Sequence, residues 1–168
     1  MDLKDVQAPL KDGYREDPGS ALITLTARGG ATGEEPVSCS VDLGRAIQEA
    51  EAHVGVGGPG TGACSGDLLL GALAACAQIT CQMVATAMEI ETERIEVVIE
   101  GDLDLRGTLG VDRNAAVGFS AIRVRYEIDA PGVEPERLES LREKSERYCT
   151  VLQTLTTPPP IESELVRA

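Results

Sequence analysis

Aromatic residues are scarce in this chain of 168 residues: they make up 2% of it, with three tyrosines, one phenylalanine and no tryptophan. An interior without large rings has to be built from Leu, Ile, Val, Ala and Met, and any ligand pocket in it should be aliphatic. The hydrophobic share of 42% is ordinary for a globular protein. Length and composition therefore predict one folded domain rather than a disordered chain.

Positive charge is also in short supply. The chain has 15 basic and 28 acidic residues, which gives a formal net charge of −13. Such a chain repels phosphate backbones and anionic lipid surfaces, and it contains no basic patch interleaved with aromatic residues. Neither nucleic acid nor a membrane is an expected partner.

Histidine is nearly absent, since His53 is the single one. No Cys-x-x-Cys pair occurs, so the sequence predicts neither a zinc site nor an iron–sulfur site. The glycine-rich loop 55–62 matches no phosphate-binding pattern and is interpreted as a connector. We therefore expect no metal and no cofactor.

The cysteine count is odd, at five. The first residues lack the apolar segment of an export signal, so we expect a cytoplasmic protein. In that reducing compartment cysteines are buried, catalytic or redox-active rather than structural bridges.

Hydropathy patterns predict an α+β domain in the order strands, central helix, strands, helix, strand. Residues 1–20 are polar and are predicted to be an N-terminal extension, with a single domain over 21–168. Alternation of apolar and polar side chains predicts most of the strands. The predicted elements are strands at 21–28 and 37–41 joined by a hairpin, a short helix within 43–51, strands at 95–105 and 119–128, a helix opening at Pro135, and a terminal strand at 161–166.

The central helix is predicted from Ser65, a good N-cap, to about Ile90. Asp67 lies in its first turn, where a negative charge complements the helix dipole. The helix is apolar nearly all round, which is typical of a helix covered by protein on every face. Gln78 and Gln82 interrupt the apolar run, and the acidic flanks argue against a membrane span.

Among the cysteines, Cys76 and Cys149 are the candidates for chemistry. Cys76 and Cys81 share one helix and are about 8 Å apart along its axis, too far for a disulfide without unwinding. Cys39 and Cys81 are interpreted as small buried hydrophobic residues, and Cys64 as a loop thiol. Because Cys76 has no basic residue close in sequence, its thiolate would need an arginine from elsewhere in the fold or from a second subunit.

Two segments together resemble the osmotically inducible protein C and organic hydroperoxide resistance family, OsmC/Ohr. Its members carry Leu-Leu-x-x-Leu-x-x-Cys in a central helix, which residues 69–76 match with Cys76 last. They also carry Cys-Pro-Val-x-x-Thr-Leu, which residues 149–155 match from Cys149 except that Thr150 replaces the proline. The resemblance covers the chain from about residue 21 to the C-terminus.

The resemblance implies an OsmC-like fold in which antiparallel sheets wrap around long central helices in an intertwined homodimer. It also implies a thiol peroxidase that acts as an antioxidant in the oxidative stress response. The cysteine matching Cys76 attacks an organic, fatty-acid-type hydroperoxide and becomes a sulfenic acid. The cysteine matching Cys149 resolves it to a disulfide, which a dithiol such as a lipoylated protein reduces.

The chain departs from the family pattern before the reactive cysteine. The hydroperoxide-resistance branch has a Pro-Glu pair that positions an activating arginine, and this chain has Ser65 and Gly66 there. Asp67 is the candidate to take the role of that glutamate, and Arg28 and Arg106 are candidates for the arginine. The alternative is a non-catalytic protein of the same fold that binds a small apolar or acyl ligand in an aliphatic pocket.

Overall fold

The computed structural model describes residues 16, 28–31, 38–42, 47–110 and 112–167. It divides into two compact units. The first comprises the described residues up to Gly71 together with Ile99–Val124, and the second comprises Ala72–Val98 and Arg125–Ala168. The α+β class is confirmed by the order of elements: β1 (Arg28–Ala31), β2 (Ser38–Asp42), β3 (Ile47–Glu51), α1 (Ser65–Ala87), β4 (Arg94–Leu103), α2 (Leu105–Thr108), β5 (Phe119–Asp129), α3 (Pro135–Tyr148) and α4 (Thr150–Thr156).

The first unit contains an antiparallel sheet in the order β1-β2-β3. Gly30 pairs with Ser40, and Ser40 pairs with Glu49. The antiparallel pairing of the first two strands is confirmed, but Gly29 and Gly30, predicted as the start of the hairpin loop, belong to β1. Residues 21–27 of the first predicted strand lie outside the described part. The helix predicted within 43–51 is wrong, because Ile47–Glu51 hydrogen-bonds along β2. A strand partner from elsewhere in the chain overrides local propensity there.

After β3, the glycine-rich connector folds around the carboxylate of Glu51. That carboxylate accepts hydrogen bonds from the Gly62 amide at 2.6 Å and the Thr61 hydroxyl at 3.0 Å. A Cβ on Gly58 would lie 1.6 Å from the Ala52 carbonyl oxygen, so only glycine fits this close approach. The loop amides are therefore bound by an internal anion.

Helix α1 confirms the predicted central helix, but its N-cap is Cys64 rather than Ser65, because the Leu68 amide donates to the Cys64 carbonyl at 3.0 Å. Its first turn is closed by the Asp67 carboxylate, which accepts the Cys64 amide at 2.9 Å. At the other end, the Ile90 amide reaches the Ala85 carbonyl at 3.0 Å across Glu89, whose φ is 56°. This is a Schellman-type ending, in which the left-handed residue ends the helix.

One face of α1 is buried and the opposite face is not. Leu73, Ala77, Cys81, Val84 and Ala85 are buried. On the other face the side chains of Leu69, Ile79 and Met83 are 39%, 56% and 40% exposed. The prediction that this helix is covered on every face is therefore not met by the described part of a single chain. By length and composition α1 also suits a membrane span.

Strands β4 and β5 pair with each other. The Glu93 amide donates to the Asp129 carbonyl at 2.7 Å, and the Ser120 hydroxyl donates to the Asp102 carbonyl at 3.2 Å. These two contacts join opposite strand ends, so the pair is antiparallel. The strand was predicted to continue to residue 105, but β4 ends at Leu103. It ends there because Asp104 caps the short helix α2.

The Gln78 side chain ties α1 to β4 within the second unit. Its amide nitrogen donates to the Ile95 carbonyl at 2.8 Å, and its carbonyl oxygen accepts the Val97 amide at 3.0 Å. One glutamine thus satisfies two backbone groups of the strand. This contact accounts for a polar residue in an otherwise apolar helix.

Helix α3 begins at Pro135, as predicted. It contributes Leu141 to the core of the second unit, whose other buried members are Cys81, Val84, Ala85, Ile90 and Ala130. The helical spacing of Leu141, Ser145 and Tyr148 predicts that all three face inward, but Tyr148 is 61% exposed. The reason is that the helix stops at Tyr148, where Cys149 adopts an extended backbone with φ −75° and ψ 105° before α4 begins.

The terminal strand predicted over 161–166 is wrong. Residues 161–167 form no strand, and the side chains of Ile161 and Leu165 are 89% and 96% exposed. Pro158, Pro159 and Pro160 precede this segment and cannot donate backbone hydrogen bonds to a sheet. The alternation of residues alone was not sufficient to add a strand.

Candidate active site

The second unit brings the thiols of Cys76 and Cys149 into hydrogen-bond contact. Cys76 comes from the middle of α1, where it is partly exposed. Cys149 lies at the break between α3 and α4, and it is fully buried. Both are free thiols. The break in the helix is what turns the Cys149 side chain and the first amides of α4 toward α1.

Hydrogen bonds converge on the sulfur of Cys76. Burial raises the pKa of the Cys76 thiol, but the Val151 amide, the Cys149 thiol, the Thr80 hydroxyl and the Thr150 amide all lower it. The result is a pKa below the ordinary value for cysteine. Donors to the charged form favour that form, so Cys76 is the thiol that ionises first.

Cys149 has the opposite character. Burial raises the pKa of the Cys149 thiol, and the Leu152 amide opposes this. Its hydrogen bond to Cys76 and the negative charge there raise the pKa further, so the net pKa is above the ordinary value. Cys76 is therefore the thiol of the pair that ionises first, and Cys149 is the one that keeps its proton longer.

The groups that lower the pKa of Cys76 most are hydrogen-bond donors rather than an arginine. Of the two arginines proposed from the sequence, Arg106 forms ion pairs with Asp104 at 2.6 Å and with Asp112 at 3.7 Å. The side chain of Arg28 lies outside the described part. Within the second unit, the backbone amides at the start of α4 lower the pKa of Cys76. The sequence analysis assigned this role to an arginine.

Asp67 belongs to the first unit and makes a different set of contacts. The amide of Cys64 and the thiol of Cys64, in that order, lower the pKa of the Asp67 carboxyl, burial raises it, and nearby His53 lowers it again. His53 itself caps the short 3-10 helix Val54–Val56, because its Nδ1 accepts the Gly55 amide at 3.0 Å. Asp67 is thus an ionised helix-capping carboxylate beside Cys64.

A cavity of about 430 Å³ opens beside Asp67 in the first unit. Leu70, Leu103, Leu105 and Phe119 form much of its wall, and its polar groups include Asp67, His53, Cys64, Ser65 and Thr108. The size is that of a site for a small molecule. Because its wall includes Phe119 and several polar residues, the cavity is less purely aliphatic than the sequence predicts.

A family model described as OsmC-like protein matches residues 58–164. The matched segment covers more than half of the 168 residues. The chain belongs to the OsmC-like protein family. No curated protein matched the sequence.

Solved structures of OsmC-like proteins share this fold. The OsmC-like protein of Mycoplasma pneumoniae is 15% identical with a TM-score of 0.66, over 81% of this chain and 89% of its own. The organic hydroperoxide resistance protein OsmC of Legionella pneumophila is 18% identical with a TM-score of 0.61, over 82% and 92%. The organic hydroperoxide resistance protein of Elizabethkingia anophelis is 22% identical with a TM-score of 0.59, over 82% and 91%.

Three donors around the OsmC-like thiol pair were missed by sequence reasoning. Thr80 lies one turn after Cys76 on the same helix face, so its spacing was a usable signal. The amides of Thr150 and Val151 could not be identified from the sequence, because every residue except proline has a backbone amide. The direction in which these two amides point depends on the break at Cys149.

Two of the remaining three cysteines, Cys64 and Cys81, have described side chains. Cys81 is fully buried, as predicted; burial raises the pKa of its thiol, and Ser145 hydrogen-bonds to it. Cys64 is half-buried in the cavity wall, and the side chain of Cys39 lies outside the described part. No group of His, Cys, Asp and Glu suited to a metal ion occurs among the described residues.

Proposed function

We propose that this OsmC-like protein reduces organic hydroperoxides, with Cys76 attacking the peroxide and Cys149 resolving the product. The observation that supports this most is the asymmetry of the thiol pair. One sulfur is partly exposed and has a lowered pKa, and the other is buried, has a raised pKa and hydrogen-bonds to the first. A peroxidatic and a resolving cysteine need these two states.

The first step uses the Cys76 thiolate. Its sulfur attacks the terminal oxygen of the hydroperoxide, so a sulfur–oxygen bond forms and the oxygen–oxygen bond breaks. Cys76 is oxidised to a sulfenic acid, and the organic oxygen leaves as an alcohol after taking a proton. The partial exposure of Cys76 gives the peroxide access to the sulfur.

The second step uses Cys149. Its sulfur attacks the Cys76 sulfenic sulfur, so a disulfide forms and the hydroxyl leaves as water with the proton from Cys149. The Cys76 negative charge raises the pKa of Cys149 before the reaction. Loss of that charge in the sulfenic acid makes Cys149 easier to ionise when it is needed.

A dithiol such as a lipoylated protein completes the cycle by reducing the disulfide, and the reducing cytoplasm is the compartment that suits this step. The active form is proposed to be a homodimer. Asp67 stays a prediction as the substitute for the family glutamate, since its described partners are Cys64 and His53.

The test is a peroxidase assay with cumene hydroperoxide and dihydrolipoamide. Cys76→Ser should abolish turnover, because the attacking thiolate is lost. Cys149→Ser should trap the sulfenic acid on Cys76, detected by dimedone labelling and mass spectrometry. Cys81→Ser, which removes a buried thiol of the same helix, serves as the matched control and should keep at least half of the activity.

An outcome in which Cys76→Ser keeps wild-type turnover would contradict the proposal. A disulfide that forms in Cys149→Ser at the normal rate, mapped to another cysteine, would contradict the role of Cys149 alone.

The cavity beside Asp67 favours a second candidate, in which the protein binds a small apolar ligand. Its volume of about 430 Å³ and its leucine and phenylalanine wall suit such a molecule. The ionised Asp67 would repel a free carboxylate, so a neutral acyl compound fits better than a free fatty acid. Native mass spectrometry separates the candidates: a retained apolar ligand with thiols inert to hydroperoxide favours binding, and reactive thiols favour catalysis.

A further inference from the structure

An open groove runs over the segment that carries Cys149. It has a volume of about 610 Å³. Arg147, Tyr148 and Thr150 line it on both sides of Cys149 in sequence, and the rest of its lining comes from Gln153, Thr154, Thr157 and Pro159. All of these residues belong to the second unit. The proposed peroxidase chemistry does not use the side chains of this groove.

Arg147 is exposed beside Cys149. Three other arginines of the unit form ion pairs with glutamates, namely Arg94, Arg125 and Arg142. A fourth, Arg137, donates to backbone carbonyls. Arg147 has no carboxylate partner among the described residues, and its guanidinium lies 5.6 Å from the centre of the Tyr148 ring. The chain has a net charge of −13. An exposed arginine with no described carboxylate partner therefore creates a local positive potential, which attracts a negatively charged group of a partner.

The groove is next to the thiol pair. Thr150 lines the groove, and its amide hydrogen-bonds to the sulfur of Cys76. Tyr148 is 61% exposed beside Cys149, which is fully buried. A macromolecule bound to Arg147 and Tyr148 would therefore contact the residues that directly precede the resolving cysteine in the sequence. Arginine and tyrosine are also the residue types that supply most binding energy at protein interfaces.

From this arrangement we infer that the surface of Arg147 and Tyr148 docks the protein that carries the reducing dithiol, with carboxylates of that partner facing Arg147. The inference rests on the proposed peroxidase function. The inference adds to that function the surface to which the reducing protein binds and the negative charge expected on the binding face of that protein.

The chemistry at this surface is thiol–disulfide exchange. A thiolate of the partner's dithiol attacks the Cys76 sulfur, because Cys76 is partly exposed and Cys149 is fully buried. A mixed disulfide forms between the partner and Cys76, and Cys149 leaves and takes up a proton. The second thiol of the partner then attacks the partner sulfur of this mixed disulfide, so Cys76 leaves as a thiolate and the partner is left with an internal disulfide. The partner is oxidised by two electrons, and both cysteines are reduced. The hydrogen-bond donors that lower the pKa of Cys76 make it a good leaving group in this second step.

The test compares two reductants in the steady-state assay: free dihydrolipoamide and a purified dihydrolipoyl protein domain of net negative charge. Arg147→Glu should lower the ratio of kcat/KM for the domain to kcat/KM for the free dithiol about tenfold. Added salt should lower the wild-type ratio and change that of Arg147→Glu much less. Tyr148→Ala should lower the ratio in the same direction.

Lys144→Glu is the matched control. It makes the same change of charge on the same helix, and Lys144 does not line the groove. Its ratio should stay within about twofold of wild type. Equal losses in Arg147→Glu and Lys144→Glu, or equal losses with both reductants, would overturn the docking surface. Failure of the wild-type protein to turn over with free dihydrolipoamide would instead overturn the proposed function.

Discussion

At the residue scale, position 150 shows how a backbone group can tune a thiol. Where the OsmC/Ohr pattern has proline, this chain has Thr150, and its amide donates to the Cys76 sulfur. Proline has no amide hydrogen, so that donor exists only because of the substitution. A residue outside the reacting pair thus helps set which of the two thiols ionises.

We expect Thr150→Pro to raise the pKa of Cys76, because the thiolate loses one of its donors. The helix should survive, since position 150 is the first residue of α4, where proline is favoured. The Thr150 amide lowers the pKa of Cys76 less than the other donors do, so we expect a loss of about 0.5 kcal/mol, which corresponds to an alkylation of Cys76 about twofold slower below its pKa. The measurement is the pH dependence of iodoacetamide alkylation, followed at Cys76 by peptide mass spectrometry.

Thr150→Ala is the control for this experiment, because it removes the hydroxyl and keeps the amide. Its alkylation midpoint should match the wild-type midpoint. A Thr150→Pro profile that coincides with the Thr150→Ala profile would show that the amide of residue 150 does not stabilise the thiolate.

At the scale of elements, the connector between β3 and α1 depends on Glu51. The Gly62 amide is the largest influence that lowers the pKa of the Glu51 carboxyl; burial raises it, and the Thr61 hydroxyl lowers it. Because the folded pKa is lowered, the stabilisation of the loop by Glu51 is present above the unfolded pKa of about 4.3. It is lost as the pH falls through the folded value.

The Gly62 amide proton in a nuclear magnetic resonance titration should therefore shift with a midpoint below about 4.3. In Glu51→Gln the same resonance should be insensitive to pH over that range, and the amides of the loop should exchange faster with solvent at neutral pH. Glu91→Gln, a change at an exposed glutamate outside the loop, is the control. A Gly62 midpoint at or above the ordinary glutamate value would contradict the hydrogen bond.

Element boundaries also show where sequence reasoning succeeded and failed. α1 was predicted because its apolar run is long, although only one of its faces is buried. β5 was predicted because its alternation runs over many residues and agrees with its burial pattern. β3 was taken for a helix because five residues carry too little periodicity to outweigh pairing with β2. The direction of the α4 amides was not predicted, since it depends on the φ and ψ of Cys149.

At the scale of the whole molecule, helix α1 exposes an apolar stripe formed by Leu69, Ile79 and Met83. With about 100° per residue, Leu69, Ile79 and Met83 fall within about 80° of one another on the helix. Burying large apolar side chains is worth about 1.5–3 kcal/mol each, so leaving this stripe in water is unfavourable. A second copy that packs along α1 is the proposed cover.

We expect Ile79→Asp to convert a homodimer into a monomer, because it places a charge in the middle of the stripe. Val117→Asp makes a similar change at a side chain that is 67% exposed in the other unit and should leave the dimer intact. Analytical ultracentrifugation at micromolar concentration measures both. A wild-type monomer, or an Ile79→Asp dimer as stable as wild type, would remove this proposal.

The sequence by itself determined the α+β class, the long central helix and the family, because these depend on periodicity and on side chains within short segments. It also singled out Cys76 and Cys149, first by elimination among the five cysteines and then by resemblance. Only the tertiary structure decided that the two thiols interact, that Cys76 ionises before Cys149, and that hydrogen-bond donors rather than an arginine lower the pKa of Cys76 most within the second unit. The physical reason is that a pKa depends on desolvation and on donors a few ångströms away, and folding brings those donors together from distant parts of the chain.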